Sequence, residues 1–159
     1  KLTSIVFMIL LGATSFSLVF RGLEGDKILV DLITSSNLSP EVFLIYVLIT
    51  VFITGFFIDF IEIIFIVVPV IAPILVALNI DLIWVGIMLA INLQTSFLTP
   101  PFGFSLFYLK SVSPKEIKTT DIYKGVVPFV IIQVLFLVFL FFNPEYIYII
   151  PDFLENYNS

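Results

Sequence analysis

Two long runs without a charged residue constrain this chain more than any other feature. Residues 2–20 and 125–143 contain no Asp, Glu, Lys or Arg. Each is close to the ~20 apolar residues that a helix needs to cross a bilayer. Of the 159 residues, 60% are hydrophobic and 12% are charged, whereas a soluble domain is about half apolar and about a quarter charged. The sequence therefore predicts an all-α integral membrane protein, since a helix satisfies its own backbone hydrogen bonds in lipid.

The composition also excludes several classes of function. The chain has no Cys and no His, which removes thiolate chemistry, histidine acid–base catalysis and the usual zinc sites. Its net charge of −5 is unlike that of nucleic-acid-binding proteins, which cluster Lys and Arg. We therefore expect neither an enzyme nor a transition-metal site. Because the chain starts at Lys1 and not at Met, we also expect a fragment of a longer protein.

The alternation of apolar and polar segments predicts seven regions. In order, they are a transmembrane helix at 1–22, an external polar or interfacial segment at 23–40, a re-entrant helical hairpin at 41–78, a discontinuous transmembrane helix at 81–112, a cytoplasmic loop at 113–124, a C-terminal transmembrane helix at 125–143 and an external tail at 144–159. The orientation follows from the lysines, because basic residues collect on the cytoplasmic side. No Lys or Arg follows the last predicted helix, whereas four lysines precede it: Lys110, Lys115, Lys118 and Lys124.

The hairpin is predicted from the length of its segment. At ~1.5 Å rise per residue, 41–78 is too long for one crossing and too short for two crossings with a turn. Gly55 divides the segment into two apolar arms, so the tip of the hairpin is expected near Gly55. The alternative is one long tilted helix followed by an interfacial piece.

A second irregularity is predicted where two prolines stand in an apolar segment. Pro100 and Pro101 have no backbone N–H, so helical bonds to the carbonyls of Ser96 and Phe97 cannot form. In hydrocarbon, such carbonyls must find other partners. The helix is therefore expected to break near 95–101, leaving carbonyls free. The alternative is an ordinary proline kink that neighbouring helices satisfy.

Polar side chains cluster around this break. The hydroxyls of Thr95, Ser96 and Thr99, together with free carbonyls, are hard oxygen ligands suited to a small cation such as Na⁺. Discontinuous helices of this kind mark ion and substrate sites in secondary transporters. The side-chain amides of Asn92 and Gln94 stand in the same segment, so we assign them, with Thr95, to a candidate substrate or ion pathway.

Two carboxylates lie in the second arm of the predicted hairpin. Asp59 and Glu62 are three residues apart, which places them on one face of a helix. A carboxylate inside a membrane is costly and is a functional hypothesis by default. Both are therefore candidates for the substrate or ion pathway. The alternative is that one of them reaches the interface or hydrogen-bonds across helices.

These two regions together resemble one transporter family. The runs G-F-F-I-D-F-I-E-I-I-F-I-V-V-P and N-L-Q-T-S-F-L-T-P-P-F-G-F resemble the DctM-like large membrane subunit of TRAP (tripartite ATP-independent periplasmic) transporters. The resemblance implies the C-terminal one of two inverted repeats, each with a hairpin and a broken helix, in a subunit that moves by an elevator-like motion. It implies no cofactor other than Na⁺ as the coupling ion. Many members have Gly where Ser96 stands.

The resemblance also implies partners and ligands. The family imports an organic acid or a similar small solute across the bacterial inner membrane, driven by Na⁺. It works with a small four-helix membrane subunit and a periplasmic substrate-binding protein. Carried over to this sequence, its Na⁺ ligands fall on Gly55, Ser96, Thr99 and the carbonyl of Phe102. Two alternatives stay open: an ion-coupled carrier of another broken-helix family, such as a divalent-anion symporter, and a non-transporting membrane scaffold subunit.

Overall fold

The computed structural model describes residues 2–36, 38–100, 103–114 and 116–158. Within those ranges the chain is helical and contains no strand. The elements are α1 (Leu2–Gly22), α2 (Gly25–Ser35), α3 (Pro40–Thr54), α4 (Phe60–Ala77), α5 (Leu82–Leu98), α6 (Phe104–Val112), α7 (Thr119–Phe142), a 3₁₀ helix (Pro144–Ile147) and α8 (Ile149–Asn158). Among the described residues, α1, α4 and α7 are long and apolar enough to cross a membrane. The predicted all-α membrane class is confirmed.

Helix α5 lies at the centre of the fold, and its contacts give the directions of the neighbouring helices. Leu48 of α3 contacts Asn92, and Gly55 just after α3 contacts Ser96, so α3 runs parallel to α5. Four residues separate the end of α4 from the start of α5, and the first residue of α4, Phe60, packs on Phe97 near the end of α5. The two helices α4 and α5 are therefore antiparallel. It follows that the chain reverses direction between α3 and α4.

The outer helices pack around this centre. Helix α7 runs antiparallel to α5, since the Trp84 indole N–H near the start of α5 donates to the Leu140 carbonyl near the end of α7, at 3.4 Å. Helices α1 and α2 pack on α4. The main core is built from side chains of α3, α4 and α5 with one residue of α7: Leu44, Val47, Leu48, Val51, Ile63, Ile71, Leu75, Val85, Met88, Leu89, Leu93 and Leu140. Most of the surface of α1 and α7 is exposed and apolar, as expected for helices in a bilayer.

Two element boundaries differ from the segments drawn on the sequence. Helix α7 begins at Thr119, inside the segment expected to be a loop, because the Asp121 carboxylate accepts a hydrogen bond from the Lys118 N–H (3.1 Å) and caps the first turn. The segment expected only as a tail contains a 3₁₀ helix and α8. Hydrophobicity set the expected boundaries, whereas capping hydrogen bonds and local helix formation set the observed ones.

Candidate ion site at the hairpin tip and the helix break

The helix break lies between α5 and α6. Helix α5 continues to Leu98, so Thr95 and Ser96 are still helical and the break starts later than residue 95. The Thr99 N–H donates to the Ser96 carbonyl at 3.0 Å, and the Gly103 N–H donates to the Thr99 carbonyl at 3.2 Å. The expectation that the Ser96 carbonyl is left free is therefore wrong. The last turn tightens, and a donor three residues on replaces the one that Pro100 lacks.

The tip of the chain reversal, residues 55–59 between α3 and α4, packs directly on Ser96. Gly55 is buried and has ordinary right-handed helical angles (φ −63°, ψ −12°), so its conformation does not require glycine. Its surroundings do, because a Cβ at this position would lie 2.8 Å from the Ser96 Cβ. The backbone of the tip thus touches the last turns of α5, 41 positions further along the chain. Phe60 and Phe97 pack edge to face beside this contact, with ring centroids 5.8 Å apart.

The hydroxyl groups of Thr95, Ser96 and Thr99 donate to helix carbonyls. Ser96 Oγ donates to the Leu93 carbonyl (2.9 Å), and Thr99 Oγ1 donates to the Thr95 carbonyl (2.7 Å). Thr95 Oγ1 donates to the carbonyl four residues before it in the same way (2.7 Å). A hydroxyl that donates a hydrogen bond to a carbonyl still has two lone pairs on its own oxygen. These oxygens can therefore accept a hydrogen bond or bind a cation without losing the bonds they make.

Gly103 is a part of the break that sequence reasoning missed. A Cβ on Gly103 would lie 2.6 Å from the Phe97 carbonyl oxygen and 2.9 Å from the Thr99 carbonyl oxygen. Only glycine lets the chain fold back this closely on the end of α5. The signal was available, since a glycine two residues after a proline pair predicts a close backbone approach. Pro100 lies in the break, whereas Pro101 and Phe102 lie outside the described residues, so the ligand role of the Phe102 carbonyl stays a prediction.

Comparison with known proteins gives the family. Residues 1–146 match the family described as the tripartite ATP-independent periplasmic transporter, DctM component. This chain belongs to the DctM family. It is 30% identical over 154 residues to the C4-dicarboxylate TRAP transporter large permease protein DctM of Pseudomonas aeruginosa, covering 97% of this chain and 36% of that protein.

Two further relatives agree with this family. The DctM protein of Vibrio cholerae is 29% identical over 91% of this chain and 31% of its own length. The sialic acid TRAP transporter permease protein SiaT of Haemophilus influenzae is 38% identical over 76 residues, which are 48% of this chain and 12% of that protein. The chain thus spans about a third or less of the relatives it matches. Because the family consists of transporter components, the prediction that the chain is not an enzyme is confirmed.

The two amides of this DctM-family chain lie on different faces of α5. Asn92 is 2% exposed, and its Nδ2 donates to the Leu48 carbonyl at 2.8 Å. This bond joins α5 to α3 about one turn before Ser96. Gln94 is exposed and lines a cavity of about 510 Å³ together with Phe60, Phe97 and Ser105. The structure therefore gives Asn92 a packing partner and leaves Gln94 at a cavity beside the break.

The two carboxylates stand at the start of α4, but only Glu62 lies inside the helix. Asp59 precedes α4 with extended angles (φ −64°, ψ 145°), whereas Glu62 lies inside the first turn of α4. One carboxylate oxygen of Asp59, Oδ1, is buried and has no hydrogen-bond partner among the described residues. Glu62 instead lines a cleft between α4 and α1, with Gly12 and Ala13. Asp59 is thus part of the tip, and Glu62 faces another helix.

The chemistry of the site follows from these placements. Within the described residues no three side chains of His, Cys, Asp or Glu come together as a metal centre. The groups near the tip–break contact are hydroxyl and carbonyl oxygens, with the carboxylate of Asp59 at the tip. Such oxygens favour hard cations of low charge over transition metals, which prefer nitrogen and sulfur.

Proposed function

We propose that this chain is the C-terminal part of the large permease subunit of a Na⁺-coupled TRAP transporter. The observation that carries the proposal is the contact of Gly55 with Ser96, one turn before Thr99 and the break. It joins the two irregular elements, each supplying oxygen atoms, in a chain of the DctM family. The proposed Na⁺ ligands are Gly55, Ser96, Thr99 and the carbonyl of Phe102.

The proposed coupling depends on where the ion would lie. An ion bound between the tip and the break contacts α3 through Gly55 and α5 through Ser96. It therefore stabilises the arrangement in which the tip rests on the break. Na⁺ drives transport if the substrate prefers the same arrangement, because two ligands that favour one conformation strengthen each other's binding.

The proposed substrate is an organic acid or a similar small solute. The names of the relatives mention C4-dicarboxylate and sialic acid, and both substances are organic acids. In this chain the cavity of about 510 Å³ with Gln94 and Ser105 opens beside the break and is our candidate for this repeat's share of the substrate path. Asp59, Glu62, Asn92 and Thr95 stay candidates for the substrate or ion pathway, although none of the four lines this cavity.

The proposed setting is the bacterial inner membrane. The loop before α7 would lie in the cytoplasm and the C-terminus in the periplasm, following the lysines. The relative directions of the helices agree with this topology, since α3 and α5 are parallel while α4 and α7 run the opposite way, and the choice of side rests on the lysines alone. A small four-helix membrane subunit and a periplasmic substrate-binding protein would complete the transporter.

The first test reconstitutes the full-length parent with its small subunit in proteoliposomes. Uptake of candidate organic acids is measured with and without an inward Na⁺ gradient, and with and without the binding protein. We expect uptake only when both are present. Na⁺-driven uptake without the binding protein would move the chain to another class of symporter, and uptake without any Na⁺ dependence would refute the coupling.

A second test addresses Thr99 directly. Thr99→Val keeps the shape of the side chain and removes its hydroxyl, so we expect the Na⁺ concentration at half-maximal uptake to rise about tenfold, equivalent to about 1.4 kcal/mol. Thr99→Ser should stay near the parent value. Thr50→Val is the matched control, because the Thr50 hydroxyl makes the same kind of bond, to the Tyr46 carbonyl (2.8 Å), away from the site. An equal shift in Thr50→Val would contradict the ligand role of Thr99.

A further inference from the structure

Helix α4 contains a carbonyl that its own helix cannot pair in the usual way. Pro69 and Pro73 both lie inside α4, four residues apart. The carbonyl of Pro69 would normally accept the N–H of residue 73, but proline has none. Helix α4 is also one of the helices long enough to cross the membrane, and in lipid an unpaired carbonyl is costly.

A side chain from another helix reaches this carbonyl. Arg21 Nη2 donates to the Pro69 carbonyl at 3.4 Å, across 48 positions of sequence. Arg21 lies in the last turn of α1 and is the only arginine of the 159 residues. The separation is longer than the usual ~2.7–3.2 Å of an N–H···O hydrogen bond. The guanidinium is nonetheless suited to the task, because it is permanently charged and carries five donors on a long stem.

The turn after α1 fixes the position of Arg21. Glu24 takes left-handed angles (φ 57°, ψ 29°), and its N–H donates to the Arg21 carbonyl at 2.9 Å. Gly25 then packs on the Phe20 ring so closely that a Cβ would lie 2.6 Å from its Cδ2 atom. Since α1 and α2 both pack on α4, this corner holds the backbone of Arg21 beside α4.

The carboxylate nearest to Arg21 in the sequence, that of Glu24, has another partner. Glu24 is paired with Lys27 at 2.6 Å between Oε1 and Nζ. The two basic residues of this corner therefore have different partners: Lys27 has a carboxylate in its own turn, and Arg21 has a backbone carbonyl of α4. This division makes Lys27 a matched control for the loss of one positive charge.

We propose that Arg21 is a positioning residue that supplies the hydrogen bond missing at Pro73. It holds α1 against α4, and so fixes the second arm of the chain reversal, whose first residue packs beside the tip. The contact itself needs no assumption about transport. Its effect on Na⁺ affinity rests on the proposed function, because that effect exists only if the tip–break contact binds Na⁺.

A double-substitution cycle tests the contact. In the full-length parent with its small subunit, in lipid nanodiscs, Arg21→Met should lower the Tm by about 2 °C. Pro73→Ala restores an N–H to the Pro69 carbonyl, so in that background Arg21→Met should lower the Tm by less than half as much. Lys27→Met should cause a similar small change in both backgrounds. If Arg21→Met lowered the Tm equally with and without Pro73→Ala, the proposal would be overturned.

A second readout separates positioning from general stability. Arg21→Met should raise the Na⁺ concentration at half-maximal uptake about threefold, and Pro73→Ala in the same chain should reverse most of that rise. Arg21→Gln, which keeps a shorter donor, serves if Arg21→Met does not assemble, and Pro73→Ala should likewise rescue it. Coupling in Tm without any change in Na⁺ dependence would refute the positioning role. Transport that never depends on Na⁺ would refute the proposed function while the Tm cycle still decides the contact.

Discussion

Replacing Gly55 with alanine tests the contact between the tip and the break. The new Cβ would lie 2.8 Å from the Ser96 Cβ and 3.2 Å from the Val51 carbonyl oxygen, so either the side chain or the tip must move. Overpacking of this kind costs about 1–3 kcal/mol. Because the angles of Gly55 suit alanine, the less flexible unfolded chain returns about 0.4–1 kcal/mol. The expected net loss is about 1–2 kcal/mol of stability, with weaker Na⁺-dependent uptake.

The assay is a cycle with Ser96→Gly in the full-length parent. Ser96→Gly alone should cost about 0.5 kcal/mol, because glycine is about 1 kcal/mol less favourable than alanine in a helix and serine lies between them. Since it removes the atoms that alanine at position 55 would strike, the double variant should be more stable than the sum of the two single losses predicts. Tm and the Na⁺ concentration at half-maximal uptake are measured for all four proteins. If the stability losses of Gly55→Ala and Ser96→Gly simply add in the double variant, direct contact between the two positions is refuted.

Gly86 supplies the matched control for this cycle. It lies inside α5, and nothing stands within 4 Å of where its Cβ would be. Gly86→Ala should therefore stabilise the helix by up to about 1 kcal/mol and leave Na⁺ dependence unchanged. If Gly86→Ala were as damaging as Gly55→Ala, the loss at the tip would reflect a general sensitivity of the protein to added methyl groups.

Two further predictions concern the break and its support. Gly103→Ala should abolish Na⁺-dependent uptake, because the new Cβ would lie 2.6 and 2.9 Å from two backbone oxygens, which cannot rotate away as a side chain can. Gly125→Ala is the control and should leave uptake intact, because nothing lies within 4 Å of its Cβ position. A fully active Gly103→Ala variant would contradict the close approach. Asn92→Leu should lower stability by about 1 kcal/mol, because it removes the hydrogen bond from Asn92 to α3, and the loss is measured as a fall in Tm. Gln94→Leu, on the exposed face of α5, should leave the Tm unchanged. Equal Tm values for the two variants would refute the packing role of Asn92.

The sequence alone determined the features that depend on local chemistry. Charge-free runs at 2–20 and 125–143 set the membrane class, because lipid demands apolar side chains and internally paired backbone. The proline pair predicted the break, since a residue without an N–H ends a helical ladder wherever it stands. The spacing of Asp59 and Glu62 predicted that both lie in a helix, whereas Asp59 has extended angles and α4 begins after it, because spacing alone does not fix where a helix begins.

The tertiary structure decided which of these features meet. Gly55 and Ser96 are 41 positions apart, and Arg21 and Pro69 are 48 apart; no local pattern links either pair. The backbone angles of Gly55 would suit other residues, and position 55 requires glycine only because α5 packs against it. The Pro69 carbonyl could be recognised as unpaired from the sequence, but its donor could not. Packing selects such partners because close approach and directional hydrogen bonds depend on the final arrangement of all the helices.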